Sequence, residues 1–224
     1  MLWYCDLREG HHQRRRGAID WKTDCFEPVS ASGYALGKEG MILNNRLLPG
    51  MKAPPLTVPL VGGGQFDLHQ TAIENLLVLD VYLGLHCPRC HRHLLDMNSK
   101  VGHMQRRGID SLAVSMDSEE RASAAKEKWG LAALQVGYGM SLDDVIGWNL
   151  FASTPINESE PKHPFAEPAV FLITPDHTIY SAIYGTSPFN RFNYADMLEA
   201  MDMILARNYP ARGTFDPHSA GAQT

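Results

Sequence analysis

The chain has 224 residues, of which 44% are hydrophobic, and its formal net charge at pH 7 is −5. This length suits one domain with extensions better than two complete domains. The acidic balance argues against a general nucleic-acid or anionic-membrane surface, and no stretch approaches the roughly eighteen uninterrupted apolar residues of a membrane span.

The N-terminal segment differs from the rest of the chain. Residues 1–44 mix charges, glycines and scattered aromatics without a sustained period, so we expect a poorly ordered extension before a domain over 45–210. The segment has no apolar region typical of a secretory signal, which predicts a cytoplasmic protein. Its two cysteines, Cys5 and Cys25, are expected to be ordinary free thiols, and a flexible tail is predicted over 211–224.

The first predicted elements lead to a cysteine pair. Two short apolar runs flank the glycines of "TVPLVGGGQFDL" and predict a β-hairpin. The run "NLLVLDVYL" (75–83) is nearly continuous in apolar residues, as in a strand buried on both faces. A helix is then predicted from Pro88 to "RRG", because apolar residues recur every three or four positions. These residues are Cys90, Leu94, Met97, Val101 and Met104.

Strands and helices alternate in the rest of the chain. "IDSLAVS" and "LQVGYG" predict strands, whereas "SEERASAAKEKWG" and "SLDDVIGWNL" predict helices that open on a serine. "FASTPINESEPKHPFAEP" (151–168) predicts a long polar loop, "AVFLIT" and "TIYSAIYG" a hairpin, and "YADMLEAMDMILAR" a closing amphipathic helix. This order predicts a layered α/β domain in which helices connect parallel strands.

The segment "HCPRCHRH" (86–93) lies between the predicted buried strand and helix. Cys87 falls at the helix N-terminus, where free backbone N–H groups and the neighbouring arginines and histidines should lower its pKa. Cys90 begins the apolar stripe and should face inward, as a second thiol that resolves a mixed disulfide. The pattern predicts a redox-active dithiol, with a role in the site for Arg89, which stands between the cysteines.

Two other chemistries fit the same short pattern. Cys-x-x-Cys-His is also the attachment signal of a c-type haem, but such proteins are normally matured after export, and no export signal is present. Cysteine and histidine are good zinc or copper ligands as well. However, His91 and His93 lie about 200° apart on a helix, and His163 is the best distant partner for such a site. For Arg92 and His93 we expect a solvated helix face.

Four segments resemble, in this order, the thioredoxin-fold redoxins of the alkyl hydroperoxide reductase/thiol-specific antioxidant class, particularly their peroxiredoxin-like members. They are "GMKAPPLTVPLVGGGQFDL", the buried strand leading into "CPRC", "IDSLAVSMDSEERA" and "EPAVFLITPDHTIY". The resemblance covers about residues 45–210. It implies a thioredoxin-like three-layer sandwich with a mixed central sheet and flanking helices. It also implies a thiol oxidoreductase without a cofactor. An external thioredoxin- or glutathione-type thiol would reduce the oxidised enzyme.

The cysteine site departs from the peroxiredoxin pattern Pro-x-x-x-Thr/Ser-x-x-Cys. Asp80 and Gly84 stand where the proline and the hydroxyl residue belong. Pro168 takes the place of the peroxiredoxin arginine and resembles the cis-proline that faces the dithiol in thioredoxins. Asp80 resembles the buried acid of thioredoxins. That acid lies six residues before the first cysteine of the pair, however, whereas Asp80 lies seven residues before Cys87. Arg191 could supply the missing guanidinium, although a surface position is the simpler expectation.

We therefore predict a Cys87/Cys90 dithiol that cycles between dithiol and disulfide and reduces protein or small-molecule disulfides and also hydroperoxides. The predicted site residues are Cys87, Cys90, Arg89 and Pro168. The site residues favour disulfide exchange, whereas the overall resemblance favours peroxide. The competing interpretation is a redoxin scaffold that holds a metal or senses redox state through the same thiols without turnover. The sequence leaves the oligomeric state open.

Overall fold

The computed structural model describes residues 46–215. The predicted extension with Cys5 and Cys25 and the last residues of the predicted tail lie outside this range. Within it, no helix is long and apolar enough to cross a membrane. The elements are, in chain order, β1 (Thr57–Pro59), β2 (Gln65–Asp67), β3 (Leu76–Val81), α1 (Pro88–Gln105), β4 (Ile109–Val114), α2 (Glu119–Lys128), β5 (Gln135–Gly137), α3 (Leu142–Gly147), β6 (Ala152–Ser153), β7 (Phe165–Ala166), β8 (Ala169–Ile173), β9 (Ile179–Tyr184) and α4 (Tyr194–Arg207).

Five strands form the central sheet, in the order β5-β4-β3-β8-β9. β3 pairs in parallel with β4, and β4 in parallel with β5, because α1 and α2 return the chain between them. β8 runs antiparallel to both β3 and β9, and a tight turn joins β8 to β9. The predicted mixed sheet is confirmed, and β1 and β2 form the predicted hairpin.

Both faces of the central sheet are covered, so β3 is buried along its whole length. Successive strand residues point to opposite faces. Leu76 and Val78 join the core formed with α1, α2 and α4. Leu77 and Leu79 join the core formed with Trp148, which follows α3, and with the β1–β2 hairpin. Helices, sheet, and hairpin with α3 are therefore the three layers that the resemblance implied.

Helix α1 begins and ends where the sequence pattern predicts. Pro88 is its first residue, Cys87 is its N-cap, and Gly108 turns the chain after it with φ +63°. The predicted apolar stripe is buried, at 0–3% exposure for every member. The stripe packs against β4 and α4, and this packing holds the first turn of α1 at the carboxyl end of β3.

The segment 151–168 is not a loop throughout, and the prediction is wrong at its two ends. β6 pairs with β7 in antiparallel fashion, with Ala152 opposite Ala166 and Ser153 opposite Phe165. Strands of two residues are too short to leave an alternating pattern in the sequence. The pairing closes the base of the segment and places its second end directly before β8.

Candidate functional site

The two predicted cysteines lie together where β3 gives way to α1. The sulfur of Cys87 accepts the backbone N–H of Cys90 at 3.2 Å, as the side chain of a helix N-cap does. Cys87 is 4% exposed and Cys90 is 0% exposed, so the predicted inward orientation of Cys90 is confirmed. Both are free thiols.

The surroundings separate the acidities of the two thiols. The pKa of Cys87 is lowered to about 7, first by the hydrogen bond from the Cys90 thiol, then by backbone N–H groups and the charge of Arg191, which together outweigh burial. The pKa of Cys90 is raised well above its usual range, because the thiol is fully buried and faces Cys87. At neutral pH, about half of Cys87 is therefore thiolate, while Cys90 stays protonated.

Arg191 is the arginine that reaches the thiols. Its Nη2 donates to Sγ of Cys90 at 3.1 Å, and its Nε donates to the carbonyl of Pro188 at 3.2 Å. The expected surface position is wrong, since the side chain is half-buried. Arg191 and Cys90 are 101 residues apart in the chain, so only the tertiary fold brings them into contact.

Arg89 approaches Cys87 through its backbone and not through its charge. Its N–H is one of the groups that lower the pKa of Cys87. Its guanidinium lies over the ring of Phe189, 5.2 Å from the centroid. Arg92 is exposed, as expected. A role for the Arg89 side chain in the site stays a prediction.

The three histidines beside the cysteines have partners of their own. His86 meets the edge of Phe165, with 4.7 Å between the ring centroids, and burial lowers its pKa, which favours the neutral ring. His91 stacks on Trp129 at 5.4 Å. His93 is 6% exposed, so the expected solvated position is wrong. His86 therefore does not supply the positive charge that its place in the sequence suggested.

Asp80 explains why His93 is buried. Its Oδ2 lies 2.7 Å from Nε2 of His93 and accepts the hydroxyl of Tyr194 at 2.5 Å, and the residue is fully buried. Its Oδ1 has no hydrogen-bond partner in the described part of the chain. Asp80 shares the face of β3 with Leu76 and Val78 because strand side chains alternate, and this face meets α1 and α4. Sequence reasoning missed His93 and Tyr194, although a buried aspartate in a central strand already requires such partners.

Gly84 and Asp117 fix the loop between β3 and Cys87. Asp117 is buried, and its carboxylate accepts the N–H of Leu85 at 2.6 Å and Nε of Arg121 at 2.7 Å. Gly84 has φ +133°, and a Cβ there would lie 2.7 Å from the Asp117 carboxylate. This close approach excludes the threonine or serine that peroxiredoxins would carry at the position.

Pro168 follows a trans peptide bond, so the expected cis-proline is wrong: no peptide bond within residues 46–215 is cis. The Pro168 carbonyl accepts the N–H of Gly185 at 2.7 Å, which extends the pairing of Ala169 with Tyr184 by one residue. The trans bond keeps Pro168 on this ladder. Pro168 lines a small cleft together with His93 and Arg191, and its role in the chemistry stays a prediction.

Glu167 is a second buried carboxyl group near Arg191 that sequence reasoning missed. Its Oε1 accepts the hydroxyl of Ser153 at 2.5 Å, whereas Oε2 has no partner within residues 46–215. Burial raises the pKa of this carboxyl group, and the charge of Arg191 opposes the rise. The β6–β7 pairing holds Ser153 beside it.

Metal ligation gains no support from the described residues. Across 46–215, no three side chains of histidine, cysteine, aspartate or glutamate converge as a metal site. His163, the candidate distant ligand, is exposed, and its Nδ1 lies 2.9 Å from the carbonyl oxygen of Pro164.

Comparison with known proteins assigns the family. The model of the AhpC/TSA family matches residues 49–182, more than half of the chain. The chain belongs to the AhpC/TSA family. It is accordingly an enzyme, a thiol-dependent oxidoreductase of the peroxiredoxin-like type, as predicted. The competing interpretation of a scaffold without turnover has no support.

Solved structures agree on the fold. A peroxiredoxin-like protein from Aquifex aeolicus is 17% identical, over 71% of this chain and 88% of that one, with a TM-score of 0.59. Plasmodium vivax 2-Cys peroxiredoxin is 16% identical, over 72% and 83%, with a TM-score of 0.60. Enterococcus faecalis AhpC is 17% identical, over 73% and 97%, with a TM-score of 0.58. No curated protein matches the chain significantly. At such identities, the structural matches show the thioredoxin-like fold alone.

Proposed function

We propose that Cys87 is the nucleophile and Cys90 the resolving thiol of a cofactor-free dithiol oxidoreductase. The proposal rests on the capping contact at 3.2 Å between the Cys87 sulfur and the Cys90 N–H, which favours a thiolate at Cys87. Cys90 is fully buried behind it. A thiolate with a pKa near the ambient pH is the most effective attacking thiol.

With a disulfide substrate, the Cys87 thiolate attacks one sulfur, the substrate S–S bond breaks, and the leaving sulfur takes up a proton. The mixed disulfide on Cys87 no longer carries a negative charge, which removes one of the causes that keep the pKa of Cys90 high. Cys90 then loses its proton, attacks the Cys87 sulfur and releases the second thiol. The substrate gains two electrons and two protons, and the protein gains a Cys87–Cys90 disulfide.

A hydroperoxide is reduced on the same dithiol. The Cys87 thiolate attacks one peroxide oxygen, the O–O bond breaks, and the leaving oxygen departs as an alcohol or water after taking up a proton. Cys87 is left as a sulfenic acid, with which Cys90 condenses to give the disulfide and water. Membership of the AhpC/TSA family supports this substrate, whereas Gly84 in place of the hydroxyl residue and the second thiol at Cys90 support disulfides.

The oxidised enzyme needs an external reductant. We propose a thioredoxin- or glutathione-type thiol, which attacks the Cys87–Cys90 disulfide and returns both sulfurs to the reduced state. We also propose a cytoplasmic location, because the reducing cytosol supplies such thiols.

Two turnover assays run side by side test the assignment: hydrogen peroxide consumption with a thiol donor, and reduction of insulin disulfides. We expect Cys87→Ser to abolish both activities, and Cys5→Ser and Cys25→Ser, as matched controls, to leave both unchanged. Peroxide turnover that survives in Cys90→Ser would identify an external thiol as the resolving group for that substrate. Turnover that persists in Cys87→Ser would overturn the proposal.

A further inference from the structure

We propose that a groove rich in arginine beside the dithiol selects small disulfides that carry carboxylate groups. This inference rests on the proposed role of Cys87 as nucleophile and adds the substrate class. The groove has a volume of about 300 Å³ and is lined by residues that include Arg89, Arg92 and Arg191. A volume of this size is at the lower end of the range for small-molecule sites.

The groove adjoins the dithiol through Arg191. Arg191 forms part of its wall and donates to Sγ of Cys90 at 3.1 Å. Arg89 forms part of the same wall and lies in the sequence between Cys87 and Cys90, on the first turn of α1. A small molecule held by these arginines therefore contacts a side chain that is itself hydrogen-bonded to Cys90.

Two of the arginines in the groove have no acidic partner within residues 46–215. Neither the Arg89 nor the Arg92 guanidinium forms a hydrogen bond or ion pair with another described residue, and that of Arg89 lies over the face of the Phe189 ring. Elsewhere in the described chain, Arg107 is paired with Asp202 and Arg121 with Asp117. As far as the described residues go, the groove therefore keeps unpaired positive charge, on a chain whose net charge is −5.

The other titratable groups of the groove do not cancel this charge. Asp96 is its acidic member, and its carboxylate already accepts the N–H of Tyr194 at 3.0 Å and lies 3.7 Å from Nζ of Lys100. His93 also lines the groove, but its Nε2 is engaged by Asp80 at 2.7 Å. Arg191 faces Asp80 and the two thiols, which offset its charge. The excess positive charge of the groove therefore comes from Arg89 and Arg92, against the single carboxylate of Asp96.

This arrangement matches a carboxylate better than a neutral or cationic group. Guanidinium groups bind carboxylates with two parallel hydrogen bonds, and a concave positive surface raises the local concentration of anions. Phe192, which also lines the groove, offers an apolar surface to the methylene groups of such a molecule. Reduction of the disulfide gives two carboxylate-bearing thiols, while the protein dithiol supplies the two electrons and becomes the Cys87–Cys90 disulfide.

Three small disulfides of similar size but different charge test the inference. They are 3,3′-dithiodipropionate, a dianion, bis(2-hydroxyethyl) disulfide, which is neutral, and cystamine, a dication. The rate at which each oxidises the reduced full-length protein is measured and compared between variants, so that intrinsic differences among the probes cancel. In Arg89→Gln/Arg92→Gln we expect the dianion rate to fall about tenfold, the neutral rate to change less than about twofold, and the cystamine rate to rise.

The matched control removes the same two charges outside the groove. Arg106 and Arg207 are exposed residues at the ends of α1 and α4, so Arg106→Gln/Arg207→Gln should leave the order of the probes unchanged. An equal change for all three probes, or the same selective loss in the control, would overturn the inference. Failure of the reduced wild-type protein to react with any of the probes would instead count against Cys87 as the nucleophile.

Discussion

Cys87 and Cys90 are identical side chains three positions apart, and their surroundings alone give them different acidities. The Cys87 sulfur accepts hydrogen bonds from the Cys90 thiol and from N–H groups at the start of α1, and these bonds stabilise a thiolate. The Cys90 sulfur lies in the apolar stripe of the same helix, where burial disfavours the charge. The charge of Arg191 lowers the pKa of both thiols. From sequence alone, this side chain was expected on the surface, whereas in the structure it contacts Cys90.

Replacement of Arg191 tests this electrostatic contribution. Arg191→Gln removes a positive charge that lowers the pKa of Cys87, so that pKa should rise above about 7. Because the thiolate is the reacting form, the alkylation profile should move to higher pH, and alkylation at pH 7 should slow by about two- to fivefold. Arg191→Lys keeps the charge and should shift the profile less. Iodoacetamide labelling of Cys87, followed by mass spectrometry across pH 5–10, measures the profile, and coincident profiles for Arg191→Gln and wild type would contradict this role.

The buried Asp80–His93–Tyr194 cluster is predicted to stabilise the fold. Tyr194→Phe removes the hydroxyl that donates to Asp80 at 2.5 Å and leaves a buried carboxylate with one partner fewer. We expect the free energy of unfolding to fall by about 2 kcal/mol, the usual range for a hydrogen bond to a charged group. Tyr180→Phe is the control, because the Tyr180 hydroxyl donates to the Tyr209 carbonyl at an exposed position. Urea denaturation measures the free energy of unfolding of both variants. Equal decreases in the two would show that the buried hydroxyl contributes no more to stability than the exposed one.

At the scale of elements, the site depends on how β3 is joined to α1. The buried strand brings Asp80 to the face that meets α1 and α4, and four residues later the chain turns at Gly84 towards the helix N-terminus. Asp117, in the loop between the neighbouring strand β4 and α2, holds this turn by accepting the N–H of Leu85. The joint between strand and helix thus places the Cys87 sulfur over the first free N–H groups of α1.

Gly84→Ala tests the joint. The added Cβ would meet the Asp117 carboxylate at 2.7–2.9 Å in a backbone with φ +133°, so both the turn and the Leu85 hydrogen bond must shift. We expect a loss of about 3 kcal/mol in the free energy of unfolding, together with a changed alkylation rate at Cys87. Gly63→Ala is the control, since Gly63 has φ +102° but open space around it. In Gly63→Ala the free energy of unfolding should fall only by about 1–2 kcal/mol, the cost of the backbone strain. A fall as large as that of Gly84→Ala would contradict the steric explanation.

The elements that the sequence predicted correctly are those with a local period. Helix α1 was predicted from a stripe of five apolar residues, and β3 from a nearly continuous apolar run. Burial on one face, or on both, determines which positions along an element are apolar. The two-residue strands β6 and β7 leave no such trace. Their existence depends on pairing across the segment between them.

At the scale of the whole molecule, the position of the cysteine pair between strand and helix could be predicted from sequence, whereas the residues around it could not. Cys87 and Cys90 are neighbours in the chain, and their position between strand and helix can be read locally. Arg191 reaches Cys90 from 101 positions away, and Tyr194 reaches Asp80 from 114. Such contacts are properties of the folded sheet and helices. The hydrogen bond from the N–H of Gly185 to the Pro168 carbonyl is likewise a contact between separate parts of the chain.

The sheet makes these long-range contacts possible because it brings separate parts of the chain to one face. β3, α1 and the segment before α4 meet on the side of the sheet that holds Asp80, the dithiol and the groove rich in arginine. This arrangement supports the proposed roles of the two thiols, in which Cys87 attacks the substrate and Cys90 resolves the resulting intermediate.

The measurement that tests this claim most directly is the capture of the mixed disulfide. Reduced Cys90→Ser and Cys87→Ser proteins are mixed with bis(2-hydroxyethyl) disulfide at pH 7, quenched with acid and analysed by peptide mass spectrometry. Our account predicts a stable adduct on Cys87 in Cys90→Ser, and no adduct on Cys90 in Cys87→Ser over the same time. An adduct on Cys90 that forms as fast as the one on Cys87, or adducts confined to Cys5 and Cys25, would contradict it.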